Sequence, residues 1–466
     1  MSNSKGNFKK AMRPIDVWGL ALGAIIGWGC FVLPGSAFLP KAGPLGTALG
    51  MLIGALMIII IAVSYGYLIK KFPVSGGEFV YTKEAIGKRN AFVCGWAMIL
   101  AYWSLIPLNA TALAMISRYL FPGIVQQGLL YEIAGWEVYA GEVILASAAI
   151  ILMALLNIRG IKQAAWIQTA IALTLVGCIL VITFLVFCIS DWSNLAPAFP
   201  EGRRWWKGVF SIVAMAPWAF IGFDCIPQSA EEYNFSHKKS TFIMISAVLV
   251  AAILYIAVCA VTAVGVEPWQ QLLDSRNAWP TGYVVRNTMG LAGIVVLGVA
   301  MFCAVVSGMN AFYISTSRLM YAMAQDGALP STFGKLGVKH GTPRNAILFV
   351  MVLSLFAPWF GREVLNWIVD MTSVGAAIVF AYTTASAAIW AIRHNHKTQA
   401  WIGFFGCIIS LFFLSLLIIP GMPGYLSIQS RVILLVWIVI GAVFYALIYE
   451  KYKKRSDENK VEEVEK

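Results

Sequence analysis

Two stretches of this chain combine residue types that can do chemistry with a spacing that exposes main-chain groups. The first, GLALGAIIGWGCFVLPG at 19–35, puts Gly19, Gly23, Gly27, Gly29, Pro34 and Gly35 into an apolar run. The second, VAMAPWAFIGFDCIPQSAEE at 213–232, holds Pro217, Gly222, Asp224 and Pro227. One reading is an ordinary kinked helix; the other is a helix interrupted part-way. An interruption inside a bilayer frees main-chain groups that lipid cannot satisfy, so a ligand, water or side chain must do so. Amides opening a half-helix favour an anion, and carbonyls closing one favour a cation. A small zwitterion answers both. On that logic Ile25, Ile26, Gly27, Trp28, Gly29 and Cys30 are the candidate binding residues of the first stretch. Asp224 is a carboxylate deep in an apolar segment, a placement that is costly and commonly marks ion or proton pathways. Three roles stay open for it: a titrating switch, a counter-charge for substrate, or an acceptor for the amides of the break.

The elements that must position these residues are membrane helices. Of 466 residues, 60% are hydrophobic and 12% charged, whereas a soluble domain has about a quarter of its residues charged. A spanning helix needs about 20 apolar residues. Twelve candidates follow: 15–39, 43–70, 91–120, 140–157, 162–190, 207–231, 241–265, 290–323, 345–360, 364–392, 400–419 and 431–450, the fourth and ninth being short. The expected class is an all-α polytopic membrane protein. It divides into a tail at 1–14, a five-helix unit at 15–190, a second at 191–392, two accessory helices at 393–450 and a charged tail at 451–466. The two unusual stretches are the first helices of the two units. Five spans per unit invert the second relative to the first, and interrupted helices at matching positions of inverted repeats point to a midplane substrate site.

The net charge of +12 does not imply nucleic acid, because Lys and Arg sit in short loops and at the chain ends. With both termini placed in the cytoplasm, the inner segments hold Lys5, Lys9, Lys10, Arg13, Lys70, Lys71, Lys83, Lys88, Arg89, Arg159, Lys162, Lys238, Lys239, Lys335, Lys339, Arg344, Arg393, Lys397 and the C-terminal cluster. The outer segments hold Lys41, Arg203, Arg204, Lys207, Arg276, Arg286, Arg362 and Arg431. This three-to-one bias predicts both termini inside the cytoplasmic membrane. The eight cysteines are scattered singly through apolar runs and the four histidines lie in basic loops, so neither a disulfide framework nor a metal site is expected. No cofactor is implied, and no His, Asp or Cys cluster at catalytic spacing argues for an enzyme.

Several stretches resemble the amino acid–polyamine–organocation (APC) transporter superfamily, nearest its cationic amino acid transporter-like branch. KFPVSGGEFVYTKEAIG at 71–87 is similar to the segment after that family's second helix, and AFIGFDCIPQSAEE at 219–232 to its sixth-helix signature. SRLMYAMAQDGALP at 317–330, the PRN at 343–345 and DMTSVGAAIVFAY at 370–382 resemble the end of the eighth helix, its continuation and the tenth helix. With GAIIGWGCFVLPG at 23–35, the matches run from the first helix to the tenth in order. The resemblance implies a leucine-transporter-like five-plus-five inverted repeat with helices one and six interrupted, working by alternating access as a secondary transporter or exchanger. The implied substrate is an amino acid or related small amine; the alternatives are a polyamine or amino-alcohol transporter and, further off, a transporter-like sensor.

The resemblance also assigns roles. The first break becomes a carboxylate cradle, with amine recognition shared by Ile25 and the sixth-helix break. Trp218 matches an aromatic that covers the substrate from outside, and Ala219, Phe220 and Ile221 border the same cavity. Trp28 departs from the family, where the position is usually small. Its indole either faces substrate, with a cation–π contact of roughly 0.5–2 kcal/mol, or packs into the bundle. Trp218 and Asp224 are the candidate gating or coupling residues. Asp370 either attracts cationic substrate or lies at the outer interface, and Glu231, Glu232 and Arg318 read as inside-face salt bridges or gate elements. Leu175 falls where proton-linked relatives carry a fifth-helix lysine, which favours an exchanger or facilitator over a lysine-type proton symporter. Sodium coupling would need hydroxyls such as that of Ser307.

Overall fold

The computed structural model describes residues 10–133, 136–202, 204–274, 279–337, 340–361 and 363–464, without side chains at 115, 161–165, 363–366, 447 and 449–464. Of the basic residues in the topology count, Lys5, Lys9, Arg203, Arg276, Lys339 and Arg362 lie outside this set.

In chain order, the first span is split into α1 (Pro14–Ile25) and α2 (Gly29–Leu33), followed by a π turn at Pro34–Phe38. Next come α3 (Leu39–Lys71), the short α4 (Gly77–Ala85) and α5 (Lys88–Leu120). Within α3, Gly43 sits at φ +68° and separates the end of the first span from the second. α6 (Ala140–Arg159) and α7 (Ile161–Ile189) complete the first five. The sixth span is again broken: α8 (Trp205–Val213), α9 (Ala216–Phe220) and α10 (Cys225–Gln228). α11 (Ser240–Val264), the short α12 (Trp269–Asp274) and α13 (Pro280–Gln325) follow. α14 (Arg344–Ser354) and α15 (Glu363–Arg393) close the second five, and α16 (Lys397–Ile418) and α17 (Ile428–Val464) end the chain.

Among the described residues nine helices are long and apolar enough to cross a membrane. The first, sixth and ninth spans are built of shorter pieces. The fourth, expected to be short, is a full 20-residue helix. The ninth is short as expected: 11 residues and a 3-10 turn at Ala357–Phe360. The last helix continues through the charged segment assigned to a tail. One departure from an all-helical chain is an antiparallel hairpin of β1 (Leu129–Ile133) and β2 (Trp136–Tyr139) between the third and fourth spans. β-Branched and aromatic side chains favour strand there, and Arg118 holds it, with its guanidinium 4.1 Å from the Trp136 ring and paired with Glu142.

Around the core, α1 packs on α7, α11 and α13, while α10 touches α13, α1 and α4. α15 lies against α3, α5, α9 and α16. The breaks of both interrupted spans are thus enclosed within the bundle. α17 is instead apolar and largely exposed at Leu435, Val436 and Val443, as a lipid-facing helix is.

Candidate functional site

α1 ends because the chain leaves helical geometry at Ile26, with φ −87° and ψ 81°. The Ile26 N–H still reaches Leu22 O at 2.9 Å, and Gly27 N–H turns back to Ile25 O at 3.1 Å. The N–H groups of Trp28 and Gly29 have no main-chain acceptor among the described residues, and helical bonding resumes only from Cys30 onward. Those two amides open the second half-helix. Tyr255 of α11 donates its hydroxyl to the Ile25 carbonyl at 3.3 Å, fixing the end of the first half. Cys30 turns its thiol to Leu254 O, 3.9 Å away on α11, and so belongs to the packing of that helix.

The sixth span breaks at Ile221 and Gly222. Ile221 is extended (ψ 134°) and Gly222 has φ +130°, a region that L side chains rarely adopt. Beyond conformation, a Cβ on Gly222 would stand 2.7 Å from Ala24 Cβ and 2.8 Å from Ile25 N. The second break therefore lies directly on the end of α1. The carbonyls of Trp218, Ala219 and Phe220 receive no main-chain donor among the described residues, as expected of the last turn of a short helix. Asp224 is fully buried and accepts the Gly222 N–H on Oδ1 at 2.7 Å. The third reading of that carboxylate, acceptor for the break, is thus what the geometry displays; its other oxygen, Oδ2, has no protein donor.

Trp218 lies over Gly29. A Cβ at position 29 would collide with the indole, so the missing side chain is what lets the two breaks meet. Trp28 and Trp218 pack edge to face with centroids 6.3 Å apart and an interplanar angle of 63°. Both indoles are buried and neither Nε1 has a protein acceptor. Trp28 therefore shares its surroundings with Trp218 and does not turn out to lipid. Phe220 is fully buried and meets Tyr255 edge-on at 6.4 Å, and Ala219 and Ile221 are buried beside it.

The two flanks of this centre differ. On one flank lies an aromatic layer: Trp279 donates to Phe31 O at 2.8 Å and meets Tyr119 edge-on at 4.9 Å. On the other, Arg318 is buried with Glu232 at 2.7 Å, Lys83 pairs with Asp326 at 2.8 Å, and Glu231 accepts the Ser75 N–H at 3.1 Å. Of the three residues read as salt bridges or gate elements, Glu232 and Arg318 form an ion pair, and Glu231 bonds main chain. The N-terminal segment joins this layer, with Ala11 and Met12 N–H both bonded to Glu232 O. Asp370 instead accepts from Ser430 Oγ at 2.7 Å and ties α15 to α17. Leu175 is fully buried, and Ser307 Oγ is taken by Gln168 Nε2 at 2.7 Å.

Sequence reasoning missed several neighbours. Tyr255 and Asn109 lie at the first break; a Cβ on Gly27 would sit 3.5 Å from Asn109 Oδ1. Gln168, Asn310 and Asn157 form an amide chain joining α7, α13 and α6, with links of 2.9 and 3.0 Å. Glu78 and Gln228 pair beneath the second break. Isolated polar residues in apolar runs, such as Asn109 in SLIPLNATALA, were the signal available.

The amino acid permease family profile matches residues 14–444, nearly the whole chain and both breaks. The chain belongs to the amino acid permease family. This permease is accordingly an all-α, multi-pass membrane protein of the APC superfamily and a secondary transporter by class. It is 27% identical over 465 residues to the branched-chain amino acid permease BcaP of Bacillus subtilis, covering 97% of this chain and 96% of that one. A methylthioribose transporter of the same organism is also 27% identical, covering 97% of this chain and 95% of its own length. An aspartate-proton symporter, again of B. subtilis, is 28% identical across 85% of this chain and 75% of that one.

Proposed function

We propose that this permease carries an α-amino acid with an uncharged side chain across the cell membrane by alternating access, binding it at the two breaks. The observation that carries this reading is the meeting of complementary orphan groups. The N–H groups of Trp28 and Gly29 stand at the start of one half-helix, and the carbonyls of Trp218, Ala219 and Phe220 at the end of another. Contact of Trp218 with Gly29 and of Gly222 with α1 brings them together. A carboxylate suits the first set and an ammonium the second.

In this reading Ile25, Ile26, Gly27, Trp28 and Gly29 cradle the α-carboxylate and share the amine with Trp218, Ala219, Phe220 and Ile221. Cys30 contributes through packing. Trp218 is the outer gate and the Trp28 indole limits the pocket. Asp224, held by Gly222, supports the break. The residues around the two breaks are largely apolar and aromatic, which agrees with the relative named for branched-chain amino acids. The relatives favour amino acids over polyamines and amino alcohols. The working units are the halves 15–190 and 191–392, flanked by helices at 393–450 and by tails at 1–14 and 451–466, with both ends in the cytoplasm.

The test is a thermal-shift panel on purified protein, followed by uptake into liposomes. Leucine is compared with its decarboxylated amine, 3-methylbutylamine, and with methylthioribose. Leucine is expected to stabilise and to be taken up saturably, while the amine does neither. Equal response to leucine and the amine, or a response to methylthioribose alone, would remove the carboxylate cradle from the reading.

A further inference from the structure

Beneath the second break lie two buried carboxylates, Glu78 and the Asp224 that supports the break. Glu78 opens α4, outside the apolar spans, and is fully buried. Gln228 Nε2 donates to Glu78 Oε2, while Oε1 has no protein donor. Asp224 is equally buried, with Oδ1 on the Gly222 amide and Oδ2 without a donor. Asp224 caps the start of α10 and Gln228 ends it, so the bond from Gln228 to Glu78 brings the two acids to the same short helix.

Among the described residues, the side chains found beside them are uncharged. α3 offers Tyr65, α5 offers Tyr102 and Cys94, α10 offers Cys225 and Gln228, and α4 itself offers Tyr81. α15 brings Thr383 beside Tyr65. The hydroxyls of Tyr65, Tyr81 and Tyr102 approach without closing a hydrogen bond. α4 also carries Lys83 and α13 carries Arg318, but their ion pairs go to Asp326, Glu84 and Glu232, and no salt bridge among the described residues reaches Glu78 or Asp224. A buried carboxylate lacking a cation is disfavoured in its charged form, and a second carboxylate nearby adds like-charge repulsion. Burial, reinforced by the Asp224 charge, holds the Glu78 carboxyl well above the usual carboxylate range.

We propose that Glu78 and Asp224 together form a proton-binding site, loaded in this closed form and discharged when the inner side opens, which makes transport proton-linked. This deepens the transport reading above and rests on it for the coupling, though not for the site. The proton enters with substrate, stays on the acid pair while both sides are shut, and leaves to cytoplasmic water once Gln228 and the sixth span move away from α4. No fifth-helix cation is needed. Raising the pH removes the proton, leaves like charges to be buried on closure, and so slows net uptake.

The first measurement needs no substrate. Infrared spectra of the full chain in lipid, taken near neutral pH, are expected to show a protonated-carboxyl C=O band that Glu78→Gln diminishes and Glu78→Asp retains. Identical bands in wild type and Glu78→Gln would overturn the site, whatever the protein carries. The second follows a pH dye inside liposomes during leucine influx. Wild type and Glu78→Asp are expected to acidify the lumen with uptake, while Glu78→Gln keeps leucine–leucine counterflow and loses acidification. Undiminished acidification in Glu78→Gln, or uptake driven by a sodium or potassium gradient at clamped pH without proton movement, would overturn the coupling. A Glu78-dependent band with no leucine flux supports the site and counts against the amino acid reading instead.

Discussion

The two flanks of the double break, outer and inner in the orientation proposed above, are held by different physics. Outside, Trp218 on Gly29, Trp28 against Trp218 and Trp279 against Tyr119 make an aromatic layer, with Trp279 bonded to Phe31 O. Inside, closure uses Arg318 with Glu232, Lys83 with Asp326, Ser75 with Glu231 and the N-terminal segment on residue 232. Aromatic pairs favour offset or edge-to-face geometry, each contributing about 0.5–1.5 kcal/mol beyond its buried area. Buried ion pairs are directional, and one of them left half-made costs about 3–5 kcal/mol. Losing one contact therefore costs less on the aromatic flank than on the ion-pair flank.

That contrast can be broken most severely at the inner flank. Arg318→Ala leaves Glu232 buried without its partner, so it is expected to cost about 3–5 kcal/mol and to abolish uptake. Thermal unfolding in detergent and liposome flux read the two effects. Wild-type stability in this variant would mean that the inner flank does not depend on the pair. Next in size is the hinge between flanks. Gly222→Ala forces a side chain into a strained backbone region, at about 1–3 kcal/mol, and against Ala24 and Ile25. Flux is expected to fall while the protein still assembles in the membrane, as size-exclusion profiles would report.

At the outer flank, Trp218→Phe keeps an aromatic lid but loses contact with Gly29. A loss of about 0.5–1.5 kcal/mol predicts a rise in KM of up to roughly tenfold with the inner flank unchanged. An unchanged KM would detach Trp218 from substrate coverage. The smallest effect is expected at Tyr255→Phe, which removes one hydrogen bond from Ile25 O, about 0.5–1.5 kcal/mol before compensation by water. A few-fold weakening of leucine in the thermal-shift assay would match.

Much of this architecture was legible in residue order. Apolar runs of spanning length set the helices, because a bilayer forces main-chain bonds to close within each segment. Clustered Gly and Pro marked both breaks, and of Glu231, Glu232 and Arg318, read as salt bridges or gate elements, Glu232 and Arg318 do pair. The hairpin at 129–139 was not foreseen, since it depends on Arg118 and Glu142 from the helices on either side. Nor was the role of Asp370, which depends on Ser430, 60 residues away.

By itself, then, the sequence determined that lipid is the solvent, where the helices lie, which two of them break, and the family to which they belong. Local composition suffices for these, because hydropathy and backbone freedom are properties of a segment. Only the tertiary structure decided that Trp28 meets Trp218, that Gly29 and Gly222 are the contact points between the breaks, and that Tyr255 holds Ile25. It alone set Glu78 against Gln228 on the short helix that Asp224 caps, with no salt bridge to either acid among the described residues. Those arrangements pair groups from separate spans, and spacing along a chain does not state which faces of two helices will touch.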